Sequence, residues 1–201
     1  MKLPPFLVGF RSALAQGLGG VLRFFRPVGR RVAMFFFEVW ARSQIRGRIA
    51  PGVQFFGRVT VEGSGMVDIG EGTRLGRQVY LETNEDGKIE IGANCVINNG
   101  ATIVAYDQIV VKDFVMMGEY ATIRDANHGT RLGEPIRRQP HIAEPVTIGK
   151  DAWIGRGACV LKGVTVGDGA VIGANSVVTR NVDSNAIAVG APAQPIGARH
   201  E

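Results

Sequence analysis

Two of the three histidines, His128 and His141, stand in one segment, D-A-N-H-G-T-R-L-G-E-P-I-R-R-Q-P-H-I-A-E-P-V over 125–146. An imidazole titrates near neutral pH and can take a proton from an attacking hydroxyl. Asn127 adjoins His128, and Asp125 lies three residues before it. Asp125 or Glu119 could orient the ring or favour its charged form, and the spacing does not choose between them. The catalytic candidates are therefore His128, Asp125 and Asn127. Neither cysteine, Cys95 or Cys159, lies in this segment, which argues against a covalent thiol relay. A catalytic zinc on three imidazoles is a poor fit, because His200 belongs to the tail and only two histidines remain. No metal is expected. Two cysteines without a CxxC motif make no disulfide framework, so a cytoplasmic location is expected.

The residues around this segment set where it sits. Ile148, Ile154, Val160, Val166, Ile172 and Val178 recur every six positions. Four places after each stands a small or slim residue: Ala152, Ala158, Val164, Ala170, Ser176 and Val182. A period of six with two fixed inward positions suits neither a lone helix nor a lone strand. It suits a triangular coil, in which each hexad supplies one short strand and one corner. The same register continues upstream as Ile69, Leu75, Leu81; Ile91, Ile97, Ile103; and Val111, Met117, Ile123. A weaker rung containing Val53 and Val59 is expected to start the stack. Between these groups of three, the spacing exceeds six by 4, 2, 19 and 0 residues in turn. Every insertion thus falls at the same corner, and the 19-residue excess holds both histidines. Repeats whose insertions map to one side often carry function there, and a solenoid needs no such loop for stability.

The net charge of +5 is unevenly spread. Residues 1–50 hold nine basic residues against Glu38 alone, or +8, so the other 151 carry −3. Phe6, Phe10, Leu14, Leu18, Leu22 and Phe25 recur at helical spacing, and Pro27 is expected to break or kink the pattern. A second apolar run follows from Val32 to Trp40. Neither run reaches the roughly 18–20 apolar residues that span a bilayer. An arginine-rich amphipathic helix suits an anionic membrane surface, or packing against the repeat domain or another subunit. No recognition motif accompanies the arginines, so nucleic acid is not an expected partner. Three parts follow: a basic helical segment over 1–48, the coil over 49–182 with a catalytic loop at 124–145, and a tail over 183–201.

From Asn127 to Ile196 the chain resembles the hexapeptide-repeat acyltransferases. The likeness is strongest to bacterial exopolysaccharide or O-antigen O-acetyltransferases and to maltose and galactoside acetyltransferases. It rests on D-A-N-H at 125–128, P-V-T-I-G-K-D-A-W-I-G at 145–155, G-V-T-V-G-D-G-A-V-I-G-A-N-S-V-V-T-R at 163–180 and V-G-A-P-A-Q-P-I at 189–196. The resemblance implies an all-β fold, a left-handed parallel β-helix, with acetyl-CoA as co-substrate. It also implies a homotrimer with active sites between subunits and a sugar or polysaccharide hydroxyl as acceptor. An amino-sugar N-acetyltransferase and a non-catalytic scaffold are the alternatives. By position, His128 matches the family's catalytic histidine and Trp153 a tryptophan of the pantetheine and acceptor tunnel. Ala174, Thr179 and Arg180 match CoA contacts. Arg156 stands where a small residue is common and could add a phosphate contact. Gln194 stands where a basic residue is usual, and Arg199 could compensate. Asn99, Glu119 and Tyr120 are candidates to face the acceptor. Placement in the cytoplasm, with peripheral attachment at the inner face of the plasma membrane, is the expectation for the whole chain.

Overall fold

A computed structural model describes residues 27–200. The apolar positions from Phe6 to Phe25 lie outside the described residues. A helix covers 27–44, and a left-handed parallel β-helix follows. Its first face stacks Met66–Ile69, Lys88–Ile91, Gln108–Val111, Val146–Ile148 and Thr165–Val166. The second stacks Gln54–Phe55, Arg74–Leu75, Val96–Ile97, Met116–Met117, Trp153–Ile154 and Val171–Ile172. The third stacks Thr60–Glu62, Tyr80–Thr83, Thr102–Ala105, Thr122–Arg124, Cys159–Val160 and Val177–Val178. All pairing between these coils is parallel.

The hexad register explains the core. Ile69, Leu75, Leu81, Ile97, Ile123, Ile154 and their equivalents are buried, and Ala152, Ala158 and Ala170 fill the second inward position. The small side chains leave room for the large ones of the next face. The first coil contains Val53 and Val59, both buried. Its large inward residues are Ile49, Phe55 and Val61, paired with Ile69, Leu75 and Leu81. Val53 and Val59 instead occupy the slim inward position, just ahead of the second and third strands.

The hexad glycines serve close packing. A Cβ on Gly149 would lie 2.5 Å from the backbone of Gly167 and Asp168, and one on Gly155 would lie 2.6 Å from the Ile172 carbonyl. The left-handed backbone falls two residues later, on Asp151 (φ 56°) and Asn175 (φ 56°) among others. Asn and Asp tolerate that conformation better than most side chains.

Both ends of the solenoid are covered. Ala41 of the helix is fully buried against the first coil, with Phe37 and Ile45 packed beside it. At the other end Ala186–Gly190 joins the second face and Ala193–Ala198 returns antiparallel to it. Arg199 anchors this hairpin, donating to the Gly169 carbonyl and pairing with Asp151 at 2.9 Å.

Candidate active site

The third face meets the first at a corner where the coils differ in length. On the fourth coil this corner is the 125–145 insertion. The insertion is an antiparallel hairpin, with Ala126–His128 paired to His141–Ala143. In that register His128 is opposite His141. Side chains of directly opposed residues share one side of a pair, and the two imidazoles lie with ring centroids 4.2 Å apart.

Asp125 begins the hairpin but does not serve its histidines. It is fully buried, and its two oxygens accept from the backbone amides of Tyr106 (2.7 Å) and Asp107 (2.8 Å) on the coil below. Burial pushes its carboxyl up, and those amide bonds work against the rise. Its part is to fix the corner beneath the hairpin rather than to orient His128. Asn127 and His128 are exposed.

The group that touches the histidine pair comes from that lower corner. The Tyr106 ring lies 4.4 Å from that of His141. Its hydroxyl reaches Glu82 at 3.3 Å. Glu82 accepts also from the Tyr80 hydroxyl at 2.8 Å, and that hydroxyl lies 2.9 Å from Glu62. Glu62 and Glu82 are ladder partners on the third face, and Arg124 stands two coils further along the same outward row. A continuous polar strip therefore runs from Glu62 through Tyr80, Glu82, Tyr106 and His141 to His128. Burial raises the Tyr80 and Tyr106 phenols, and the glutamates add to the rise, so both hydroxyls stay protonated. His141 is held below the ordinary imidazole value, first by burial, then by His128 and Arg124.

The other candidates divide by position. Thr179 and Arg180 stand exposed at the histidine corner, two coils further up. Trp153 projects from the second face, which lies across the triangle from that corner, and is 49% exposed. Asn99, Glu119, Tyr120, Arg156 and Ala174 run along the corner between second and third faces. There the Asn99 side-chain Oδ1 accepts from the Arg77 backbone amide at 2.7 Å. Tyr120 takes the left-handed position (φ 57°), with Arg156 5.8 Å from its ring centre. Within one chain the structure gathers His128, Asn127, Thr179 and Arg180 on one corner and leaves Trp153 and the acceptor candidates elsewhere.

Sequence reasoning passed over Tyr106, Glu82, Tyr80 and Arg124. The register carried part of the signal. The residue after the third aliphatic of each coil faces outward beside the insertion corner, which selects Glu62, Glu82 and Arg124.

The comparisons agree with this architecture. Residues 145–180 match the bacterial transferase hexapeptide model (six repeats), and residues 66–105 match the hexapeptide repeat of succinyl-transferase. A Mycobacterium tuberculosis protein named "probable acetyltransferase" is 33% identical over 133 residues, covering 65% of this chain and 43% of its own. The chain thus spans less than half of that relative's length. A hexapeptide-repeat acetyltransferase from Vibrio cholerae, solved with acetyl-CoA, is 27% identical over 66% of this chain and 71% of its own, with a TM-score of 0.60. An N-acyltransferase from Bacillus cereus, solved with dTDP-4-amino-4,6-dideoxyglucose and coenzyme A, shares the fold at 21% identity. It covers 82% of this chain and 89% of its own, with a TM-score of 0.69. On its repeats and its coil geometry, this chain is a hexapeptide-repeat β-helix and is similar to acetyltransferases built on that repeat.

Proposed function

We propose that the chain is an acetyl-CoA-dependent O-acetyltransferase that modifies a sugar hydroxyl of a bacterial surface polysaccharide or its precursor. The observation that carries this reading is the exposed His128–His141 pair, held on the long insertion of a hexapeptide coil. The Vibrio cholerae relative bound to acetyl-CoA supports the donor. His128 takes the proton of the acceptor hydroxyl as its oxygen attacks the thioester carbonyl. The C–S bond then breaks, and the thiolate recovers the proton from the imidazolium. Corner amides or the Trp153 indole N–H stabilise the oxyanion. Arg180, near the histidine corner, and Arg156 are suited to CoA phosphates, because guanidinium matches phosphate geometry.

In this reading the enzyme is a homotrimer. Trp153, on the fifth coil, and His128, on the insertion of the fourth, lie on opposite sides of the triangular stack, so a single site can contain both only if two copies contribute. The strip from Glu62 to Tyr106 offers carboxylates and phenols to acceptor hydroxyls beside the base.

Thiol release from acetyl-CoA tests the reading, measured with sugars, bacterial polysaccharides and nucleotide-linked amino sugars as acceptors. Release is expected only with a hydroxyl acceptor, and His128→Ala is expected to lower it by about 10²–10⁴-fold. Release with amines alone would replace the proposal with N-acetyl transfer. Absence of both release and CoA binding would leave a scaffold.

A further inference from the structure

The 27–44 helix has two sides in different surroundings. Ala33, Met34, Phe37 and Ala41 face the first coils, and Ala41 is fully buried there. The opposite side carries Val28, Val32, Phe35, Phe36 and Val39, each at least 50% exposed. At 100° per residue these five fall within a stripe about 100° wide. Isolated surface hydrophobes need no explanation, but a contiguous stripe with two phenylalanines marks a contact surface.

The charge beside the stripe indicates what it contacts. Between this helix and the first two coils runs an open groove of 1710 Å³, lined by Arg30, Arg31, Arg58, Arg74 and Arg77. Among the described residues, none of these five guanidiniums has a carboxylate within ion-pair distance. Arg58 stacks on Trp40 at 4.0 Å and Arg30 on Phe56 at 5.3 Å, so aromatic faces hold two of them in place. The whole of residues 1–50 carries +8. A second copy of the chain would bring the same uncompensated positive charge to the contact. A surface that is apolar below and anionic above meets both demands.

We propose that this helix docks the enzyme on an anionic membrane surface, with Val28, Val32, Phe35, Phe36 and Val39 in the acyl boundary and the groove arginines among the phosphates. The coil then stands on the membrane by its first turns. His128 belongs to the fourth coil, three strand spacings or about 15 Å from the first. An acceptor tethered to lipid can reach that height. The docking itself does not depend on the reaction assigned to the histidine corner.

Flotation of the full-length protein with vesicles tests the proposal. Binding is expected to phosphatidylglycerol–phosphatidylethanolamine vesicles, weakening with salt, and not to phosphatidylcholine vesicles. Phe35→Glu/Phe36→Glu is expected to lower the affinity at least about tenfold, and Arg58→Gln and Arg77→Gln about fivefold each. The phenylalanine variant should keep the wild-type melting temperature, because neither ring belongs to the core. Four results would each overturn the proposal. They are no binding by the wild type, equal binding to neutral vesicles, unchanged binding by the phenylalanine variant, and a halved particle mass in that variant without vesicle binding, which would assign the stripe to a second copy.

Discussion

Which polar group a carboxylate or an imidazole touches decides the character of the histidine corner. The spacing D-A-N-H suggests an acid that orients a base, yet Asp125 is committed to two amides of the coil below. No spacing rule reveals this, because the partners lie 18 and 19 residues away. Glu82 and Arg124 were accessible in principle, since each follows an inward aliphatic at the insertion corner. Tyr106 was not, because it sits inside the irregular corner where the register lapses. His141 gives the pH prediction at this scale. Its value in the closed hairpin is below the ordinary 6.5, chiefly through burial. Above that range both closed and open hairpins carry a neutral ring and nothing changes. As pH falls, the open hairpin takes the proton first, so the closed form loses stability through its own, lower value. Amide exchange over 126–128 and 141–143, compared with solenoid amides, is expected to show growing opening from pH 7.5 to 5.5. His141→Gln should flatten that trend. An unchanged slope in the variant would assign the effect to another group.

The hairpin itself is the element that the sequence conceals. Its two strands are three residues long, too short for alternation to register, so the insertion reads as loop. The coil, by contrast, repeats its rule in every hexad and can be recognised from a fraction of its length. Above the hairpin the chain is held by one side chain. Gln139 is 4% exposed, accepts from the Arg131 amide at 2.8 Å and donates to the carbonyls of Arg131 and Glu134 at 2.9 Å each. Its position also explains Gly129, where a Cβ would stand 2.9 Å from the Gln139 amide oxygen. Truncating a buried hydrogen-bonded group costs about 1–3 kcal/mol. Here the cost should fall on the insertion alone, since no hydrogen bond of Gln139 reaches the coil. Gln139→Ala is therefore expected to speed tryptic cleavage after Arg131, Arg137 and Arg138 by about 5–150-fold, with the melting temperature of the solenoid unchanged. A lowered melting temperature, or no gain in cleavage, would show that the loop is not pinned by this residue.

For the whole molecule, a triangular coil constrains which residues can meet. Insertions that follow every third hexad must project from one corner, and this was legible because the excesses of 4, 2 and 19 residues all fall between groups of three. The same geometry was not read for Trp153. It belongs to the middle hexad of its coil, hence to the face opposite the histidines, although only 25 residues separate Trp153 from His128. Sequence proximity and spatial proximity part company because the chain turns through the corner between them. If the proposed site needs both groups, it needs two copies related by a cyclic axis, each giving a different edge. That arrangement has a quantitative consequence. His128→Ala and Trp153→Ala should each be nearly inactive alone. Mixed and reassembled in equal amounts, they should form hybrid trimers in which one interface of three joins an intact histidine to an intact tryptophan. Three quarters of random trimers are hybrids, so recovery should reach roughly a quarter of wild-type activity. Recovery near zero after verified subunit exchange would mean that the two residues do not share a site across copies.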